Sequence, residues 1–306
     1  MTPPVIRSAW VPCDAATAFE AFTEEIGAWW PLPTHGVFGH RSGGVSFDRG
    51  RLVERSLDGE EVTWAEVTTW SPPTTFSLDW HPGRGADEAT TVEVTFAASG
   101  NGTQVVIEHS GWERLGDDAA ARRQPYIGPN AWGAVLDHYA DSTEASPSTV
   151  EWLRDAQQRF AEAAAAALAA PTEPEPGEWD VRRIIAHVAI TDIAMLQVCQ
   201  ALVHDNPTRF DNAPTQSTEV LDRWLSAADD DAHLLERSAA ASRQLAAALA
   251  RLSTDQLARE VDCLLVHDGE VMVDEQRRWG QLAIDIQSEH HVPAHIDQLT
   301  DLTDAG

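Results

Sequence analysis

Two histidines near the C-terminal end have the spacing of metal ligands. His291 and His295 are four residues apart, and on a helix this spacing places both imidazoles on one face. A third candidate, His187, lies much earlier in the chain, inside the apolar run Ile184–Thr191. Three imidazole ligands leave one position of a tetrahedral ion open, which is typical of catalytic rather than structural sites. The pattern therefore predicts that His187, His291 and His295 together bind one divalent metal ion.

Other interpretations of these histidines stay open. Two histidines at this spacing also arise by chance in a chain with 12 histidines, and a histidine in an apolar helix is commonly a hydrogen-bonded core residue. No glutamate follows His291, so the zinc-protease motif His-Glu-x-x-His is absent. His290 is expected at the surface or behind the ligands, because neighbouring helical residues point about 100° apart.

Pro293 lies between the paired histidines and constrains the helix that carries them. A proline inside a helix removes one backbone hydrogen bond and bends the axis. The helix therefore either bends between His291 and His295 or begins anew with Pro293 in its first turn. We expect the bend, because an amphipathic helical pattern already runs from Gln276 through Trp279, Leu282 and Ile286 to Ser288.

The charge of the chain excludes several classes of function. Its 306 residues include 49 acidic and 21 basic side chains, a net charge of −28 at pH 7. Such a surface repels phosphate backbones and anionic lipids, so we expect no nucleic-acid or membrane partner. The chain contains no lysine, which excludes a lysine Schiff base and a Walker-type phosphate loop. The cavity and the metal site considered below predict a small-molecule ligand or substrate as the partner.

Cysteine usage and the N-terminal sequence indicate a cytoplasmic protein. Cys13, Cys199 and Cys263 are odd in number and lack paired spacing, which indicates reduced thiols rather than disulfides. The first 30 residues show no basic segment followed by an apolar run, and we identify no apolar segment of membrane-spanning length. We therefore expect a soluble, cytoplasmic protein.

The hydrophobic period changes from two to 3.6 residues near the middle of the chain. The change falls in the acidic, proline-containing stretch Asp141–Ser148. Domain boundaries commonly lie in such stretches. The sequence therefore predicts two domains, at residues 1–142 and 147–306.

The first domain is predicted to be an antiparallel sheet with a few helices. Thr91–Phe96 alternates strictly, an Asn101-Gly102 turn follows, and Thr103–His109 alternates again. A short helix begins after Asp14, and a long helix runs from about Ala119 to Tyr139. Further strand-like runs lie around Val53, at Val62–Trp70 and at Phe76–Trp80. This order is expected of an α+β helix-grip fold.

Several motifs in this domain carry a family resemblance. They are Val5–Pro12, Phe22-Thr23 with Trp29–Pro31, Trp64–Val67 with Trp70–Pro73, and Gly102-Thr103 with Glu108–Trp112. Residues 1 to about 142 thus resemble the START-like SRPBCC superfamily, and most closely its branch of heat-shock ATPase activator homologues. The resemblance implies a helix-grip fold, a scaffold shared by lipid carriers, cyclases, hydrolases and chaperone partners.

Tryptophan is concentrated in this domain, which holds eight of the 12 in the chain. These side chains either fill the core and its rim or line a cavity between the sheet and the final helix. A cavity of this kind would hold an apolar ligand. The candidate lining residues are Glu66, His109, Trp64, Trp80, Trp112 and Trp132.

The second domain is predicted to be all-α. Ser148–Glu151 has the spacing of a capping box and opens the first helix. The predicted helices run from Ser148 to about Ala169, from Trp179 to Val203, from Thr218 to Arg251 with a break near Asp229, and from Asp274 to about Leu302. Four helices with one long connection predict a four-helix bundle, whose core commonly holds metal sites.

Two motifs in this domain carry a second resemblance, Trp179–His187 on the second helix and His291-x-x-x-His295-x-x-Gln298 on the last. Residues 147–306 are similar to the DinB/YfiT-like superfamily of metalloenzymes, which includes mycothiol-dependent isomerases and thiol S-transferases. The resemblance implies that His187, His291 and His295 bind zinc or nickel. It also implies a low-molecular-weight thiol, such as mycothiol, as co-substrate.

The expected function is therefore that of a metal-dependent enzyme, a thiol S-transferase or hydrolase acting on a small electrophilic substrate. By position alone, Glu289 and Asp192 are candidate proton carriers. The alternative is a non-catalytic small-molecule binding protein with a vestigial or structural metal site. A third possibility, a chaperone cofactor, rests only on the name of the N-terminal branch.

Overall fold

Two compact units make up the chain in the computed structural model. One comprises Met1–Ser56 with Glu61–Ala145, and the other comprises Leu57–Glu60 with Ser146–Gly306. The structure describes residues 2–100, 102–128, 130–143, 150–170, 172, 174, 177–206, 208–267 and 269–304. Residues 144–149 lie outside the described residues, and they include most of the predicted boundary stretch Asp141–Ser148 and the first half of the predicted capping box Ser148–Glu151. Asn101 of the predicted turn lies outside them as well. The boundary between 1–142 and 147–306 therefore stays a prediction.

A seven-stranded antiparallel sheet organises the N-terminal unit. The strands are β1 (Val5–Val11), β2 (Ser42–Asp48), β3 (Arg51–Ser56), β4 (Glu61–Ser71), β5 (Thr75–Trp80), β6 (Thr90–Ser99) and β7 (Gly102–Ser110). Their order is β1-β7-β6-β5-β4-β3-β2, a meander in which the last strand pairs with the first. The strands predicted from alternation are thus confirmed.

The register of β6 and β7 shows why these strands form. The facing pairs are Val92 with His109, Val94 with Ile107, and Phe96 with Val105. All six side chains are buried, whereas the intervening residues of β6 are more exposed. The sequence alternation therefore places one continuous apolar face toward the core.

Helices cover the buried face of this sheet. They are α1 (Ala15–Thr23), α2 (Ile26–Trp29), α3 (Leu32–His35), α4 (Ala119–Arg123) and α5 (Trp132–Ser142). Asp14 caps α1 as predicted, since its side chain accepts a hydrogen bond from Thr17 N at 2.8 Å. The predicted single helix from Ala119 to Tyr139 is wrong, because Pro125 and a 3₁₀ turn at Gln124–Tyr126 separate α4 from α5. A curled antiparallel sheet with these helices fits the helix-grip fold.

The C-terminal unit is mainly helical. Its helices are α6 (Glu151–Ala169), α7 (Val181–Val203), α8 (Thr218–Ser226), α9 (Asp231–Arg251), α10 (Thr254–Leu257), a π-helical segment (Gln281–His291) and α11 (Val292–Asp304). The break predicted near Asp229 is confirmed. Asp230 begins α9, and its side chain accepts a hydrogen bond from His233 N at 2.7 Å.

The C-terminal unit also contains a small sheet that the sequence analysis missed. Strands β8 (Arg209–Asp211), β9 (Glu260–His267) and β10 (Glu270–Arg278) pair in the order β10-β9-β8. The prediction that the last helix begins at Asp274 is therefore wrong. Pairing with β9, which buries Val261 and Cys263, overrides the helical tendency of the charged residues in β10.

Helix α7 forms the centre of this unit. By length and hydropathy it could cross a membrane, which corrects the expectation that no apolar segment of that length occurs. In the structure, 72% of its apolar window is buried inside the protein, as in the core helix of a folded domain. The apolar sequence around His187 therefore serves to place this histidine in the interior.

Candidate functional site

His187 enters the interior because α7 begins at a defined residue. Asp180 caps the helix by accepting a hydrogen bond from Arg183 N at 2.8 Å. The first two turns then bury apolar residues on either side of His187, which is itself only 5% exposed. The ring of Trp179 lies against it, with 5.0 Å between the ring centroids.

The last helix carries the other two histidines across a change of helix type. His291 ends the π-helical segment, in which Val292 N donates to the carbonyl of Gln287. Helix α11 begins at Val292 and places Pro293 in its first turn, where a missing N–H is best tolerated. The second of the two alternatives for Pro293 is thus closer to the structure, although the chain remains helical before it. π-Helical turns are rare in proteins, and where they occur they are often found at functional sites.

The three histidines converge on one point. One ring nitrogen from each lies within 4.8 Å of those of the other two, and Nε2 of His187 is 3.2 Å from Nε2 of His291. A tetrahedral ion with bonds of about 2.0–2.1 Å requires nitrogens about 3.3 Å apart. The first pair already has about this separation, and the bound of 4.8 Å places the third nitrogen, of His295, close enough to join them after a small adjustment of the side chain. Among the described residues, this is the one such group of potential ligands that the structure assembles.

Hydrogen bonds from the far side hold two of the three rings. His187 Nδ1 is 2.9 Å from the carbonyl oxygen of Thr215, and His295 Nδ1 is 2.7 Å from Oε1 of Gln298. Both partners are acceptors, so each Nδ1 carries the proton and each Nε2 keeps its lone pair. Metal-binding histidines are commonly oriented in this way. His291 Nδ1 is buried and has no hydrogen-bond partner among the described residues.

The electrostatic environment keeps all three imidazoles neutral. Burial lowers the pKa of His187 to about 4, and neighbouring His295 adds to this effect. Burial is the main reason why the pKa of His291 lies well below its ordinary value, and the electrostatic interaction with the neighbouring rings of His295 and His187 lowers it further. Burial also lowers the pKa of His295. At neutral pH the lone pairs are therefore available to an ion.

The other candidates in this unit differ in their exposure to solvent. Glu289 and His290 are exposed, in keeping with the expectation that His290 is not a ligand. Asp192 is fully buried and accepts hydrogen bonds from Ser242 Oγ at 2.7 Å and Gln157 Nε2 at 3.5 Å. Burial raises the pKa of Asp192 to about 7. A carboxyl of this kind can carry a proton at neutral pH, whereas Glu289 is solvated.

In the N-terminal unit, most of the proposed cavity residues form one aromatic interior. Trp64, Trp80, Trp112 and Trp132 are each at most 5% exposed. Ring centroids are 5.9 Å apart for Trp64 and Trp80, and 5.3 Å apart for Trp80 and Trp132. Trp112 lies against His109 at 4.1 Å. These side chains pack closely on one another.

His109 is fully engaged within this interior. Trp132 Nε1 donates to His109 Nδ1 at 3.0 Å, so Nε2 carries the proton and donates to Thr90 Oγ1 at 2.7 Å. Burial lowers the pKa of His109 to about 3. Glu66, in contrast, is half-exposed and pairs with His81 rather than with the aromatic residues.

The sequence analysis missed several polar groups at these two places. The carboxylate of Glu54 is buried in the N-terminal unit and accepts hydrogen bonds from Trp64 Nε1 at 2.8 Å and Val37 N at 2.6 Å. Its position in a strand gives no sequence signal. The role of Gln298 has a signal, because it follows His295 by three residues on the same helix. Thr215 has none, because it contributes a backbone carbonyl.

Comparisons with known proteins concern the N-terminal unit. A family model described as Activator of Hsp90 ATPase homolog 1-like protein matches residues 12–138. No curated protein sequence matches the chain. The chain is similar to the anthrahydroquino-gamma-pyrone synthase Txn09, with 30% identity over 45% of this chain and 96% of that protein, at a TM-score of 0.33.

Two further solved structures cover the same part of the chain. The Aha1 dimer from Colwellia psychrerythraea is 16% identical over 47% of this chain and 97% of that one, with a TM-score of 0.33. CalC, a self-sacrificing resistance protein from Micromonospora echinospora, is 22% identical over 46% and 94%, with a TM-score of 0.33. With the family model and the fold in agreement, residues 12–138 form a domain of the family of Activator of Hsp90 ATPase homolog 1-like proteins.

Proposed function

We propose that the chain is a metal-dependent enzyme of the DinB type, with the metal bound by His187, His291 and His295. The observation that carries the proposal is the convergence of three neutral imidazoles within 4.8 Å. Two of them have Nδ1 fixed by an acceptor, which turns Nε2 toward the common point. Nitrogen donors of this kind suit zinc or nickel. The residues thus fit a divalent ion.

We further propose that the four long helical segments of residues 147–306 form the predicted four-helix bundle. Two ligands then come from the last helix and one from α7, as expected of metal sites in bundle cores. His291 and His295 are partly exposed while His187 is buried, so small molecules would approach from the last helix. The N-terminal unit at residues 1–142 would be a separate domain.

The proposed reaction is thiol transfer to, or hydrolysis of, a small electrophilic substrate. A divalent ion with three protein ligands supplies Lewis-acid activation of a thiol or of water at neutral pH. A low-molecular-weight thiol such as mycothiol is the proposed co-substrate. The protein's part is to hold the imidazoles neutral and oriented, through Thr215 and Gln298, and to exclude water behind His187.

Metal analysis of the full chain tests this proposal. Protein stripped with a chelator and reloaded should retain one equivalent of zinc or nickel. The double variant His187→Ala, His295→Ala should retain none, because a single imidazole remains. His290→Ala is the matched control, since it removes an adjacent exposed imidazole and should leave the content unchanged. Equal metal content in wild type and the double variant would eliminate the site.

A second candidate function is small-molecule binding by the N-terminal domain, with a structural or vestigial metal site in the other unit. The buried aromatic residues around Trp80 and Trp132 favour it, since apolar ligands bind among such side chains. Tryptophan fluorescence titrated with fatty acids, aromatic compounds and polyketide-like compounds tests this function. Saturable quenching supports it, and no response to any of these compounds counts against it.

A further inference from the structure

A set of buried polar atoms near the histidines lacks hydrogen-bond partners. Among the described residues, these atoms are Thr191 Oγ1, Asp192 Oδ1, Gln287 Nε2 and His291 Nδ1. The side chains of Thr191, Asp192 and Gln287 belong to residues at most 3% exposed. An unsatisfied buried polar group costs about 1–3 kcal/mol, so buried polar groups in native proteins nearly always have a partner. A cluster of them indicates a place for a polar guest.

The directions of the helices show that these atoms lie on one side of the histidines. Helices α6 and α7 are antiparallel, because Gln157 and Asp192 meet about equally far from the connection that joins the two helices. The segment after α6 also contacts the end of α11, through a hydrogen bond from Thr172 N to the carbonyl of Leu302 at 3.1 Å. The last helix is therefore parallel to α6 and antiparallel to α7.

In this arrangement, the step from His187 to Thr191 and Asp192 runs the same way as the step from His291 back to Gln287. Thr191 lies four residues after His187 and shares its face of α7. Gln287 lies four residues before His291, slightly less than one turn of the π-helical segment, and so lies near the same face as His291. Asp192 directs Oδ2 toward Ser242 on α9 and Gln157 on α6, while Oδ1 receives nothing. Thr191 and Gln287 are therefore expected about one turn from the histidines. Asp192 lies about 140° round α7 from His187, and its contacts with α6 and α9 place its carboxyl in the interior beside them.

The chemistry of these atoms defines the guest. Gln287 Nε2 is a donor, and a hydroxyl such as that of Thr191 can donate. The carboxyl of Asp192 is protonated over much of the range below neutral pH, because burial raises its pKa to about 7, and Oδ1 then donates as well. If Nε2 of His291 faces an ion, its Nδ1 also carries a proton. These groups together offer mainly hydrogen-bond donors. The hydrogen-bond partners of Asp192 are the uncharged side chains of Ser242 and Gln157, so no cation among them favours an anion. An uncharged acceptor is therefore the best match.

We propose that Thr191, Asp192 and Gln287 form a binding subsite for a carbonyl or amide oxygen of the substrate, one helical turn inward from the three histidines. This inference rests on the proposed function, because it assumes that the reacting group lies at the histidines. It narrows the substrate class to small electrophiles or thiols that carry a carbonyl group close to the reacting atom. The subsite orients that group by hydrogen bonds and takes no part in bond making.

Two thiols of nearly equal shape test the subsite. Mercaptoacetamide carries an amide next to its thiol, and 2-methyl-1-propanethiol replaces that amide with an isopropyl group. Binding of each to the zinc-loaded full chain is measured by calorimetry, alongside the zinc affinity. A neutral hydrogen bond contributes about 0.5–1.5 kcal/mol, so the preference for mercaptoacetamide should fall by a factor of about 2 to 13 in Asp192→Leu and in Gln287→Leu.

The remaining variants separate recognition from structure. Asp192→Asn keeps a donor at this position and should retain the preference, and Glu289→Gln, at an exposed neighbour of the ligands, should behave as wild type. If zinc and both thiols bind but the preference is the same in all variants, the subsite is overturned and the metal site stands. If wild type binds no zinc, the metal site fails and the subsite with it. Should one leucine variant not fold, the other still gives the result.

Discussion

Each unit buries a histidine, but the two histidines use their ring nitrogens differently. His109 in the N-terminal unit and His187 in the C-terminal unit are both buried in apolar surroundings, and burial lowers the pKa of both. His109 uses both ring nitrogens inside the protein, on Trp132 and Thr90. His187 uses only Nδ1 on a fixed acceptor, and its Nε2 points toward the Nε2 of His291.

The difference shows that burial and a lowered pKa do not by themselves mark a functional histidine. In His109 every hydrogen-bonding atom has a partner, so the residue stabilises its surroundings and offers nothing to a ligand. Around His187 the lone pairs converge, and further buried atoms such as Asp192 Oδ1 have no partner among the described residues. Convergent lone pairs and unpartnered polar atoms are therefore the better signs of a site.

The largest expected effect concerns Asp192 and the pH dependence of stability. Its pKa is raised from 3.8 to about 7 in the folded state, so the folded protein binds the extra proton between these values. Its contribution to stability is therefore complete below about pH 4 and is lost as the pH rises through about 7. Each pKa unit corresponds to about 1.4 kcal/mol, which gives roughly 4 kcal/mol in total.

Asp192→Asn removes this titration and gives the matched comparison. The free energy of unfolding of the variant relative to wild type should rise by up to about 4 kcal/mol between pH 4 and pH 8. Hydrogen exchange of the α7 amides in the full chain measures the free energy of unfolding of both proteins at each pH. The same difference at both pH values would show that the buried carboxyl is ionised throughout, and the contrast between the units would weaken.

The next effect tests the structural role of His109. His109→Leu leaves the buried Trp132 Nε1 without its acceptor and removes one of the two hydrogen bonds of the Thr90 hydroxyl, which should cost about 2–4 kcal/mol. Chemical unfolding followed by tryptophan fluorescence reports it, because most tryptophans lie in this unit. Zinc or nickel affinity should not change. A variant of unchanged stability, or one with altered metal affinity, would remove the distinction between the two kinds of histidine.

Sequence patterns captured the features that depend on periodicity. Alternation located β6 and β7 with the correct buried face, and the Asp14 cap located the start of α1. The spacing of His291 and His295, with His187 in an apolar helix, brought together three side chains that the structure indeed assembles.

What the patterns missed depends on contacts between distant segments. The strand β10 has a local sequence that favours a helix and is determined by pairing with β9. The π-helical turns before Pro293 and the carbonyl of Thr215 behind His187 have no local signal either. The position of Glu66 near Trp64 predicts that it lines the cavity, but its half-exposed side chain pairs with the buried ring of His81. Such features require the tertiary fold.

A smaller effect is expected behind the histidine cluster, at Gln298. Its Oε1 accepts a hydrogen bond from His295 Nδ1 at 2.7 Å, which orients the ring. Gln298→Ala should weaken metal binding roughly tenfold, since the partners of ligating histidines contribute 10- to 100-fold and this one is exposed. Competition titration with a chromogenic chelator measures it. Thr300→Ala on the same helix is the control, and equal losses in the two variants would contradict a specific role of Gln298.

The smallest effect compares two helix caps, one in each unit. Asp14 caps α1, and Asp180 caps α7, the helix that carries His187. Replacing either with alanine should cost about 1 kcal/mol, the usual contribution of a side-chain cap.

Because the two units have separate cores, Asp180→Ala should increase hydrogen exchange only in the C-terminal unit and Asp14→Ala only in the N-terminal unit. Metal affinity should fall slightly, by less than about threefold, in Asp180→Ala alone, since the cap fixes the first turn of α7 and not the ring of His187. If Asp14→Ala loosens both units equally, the two cores unfold together, and the division of the chain at residues 142 and 147 must be abandoned.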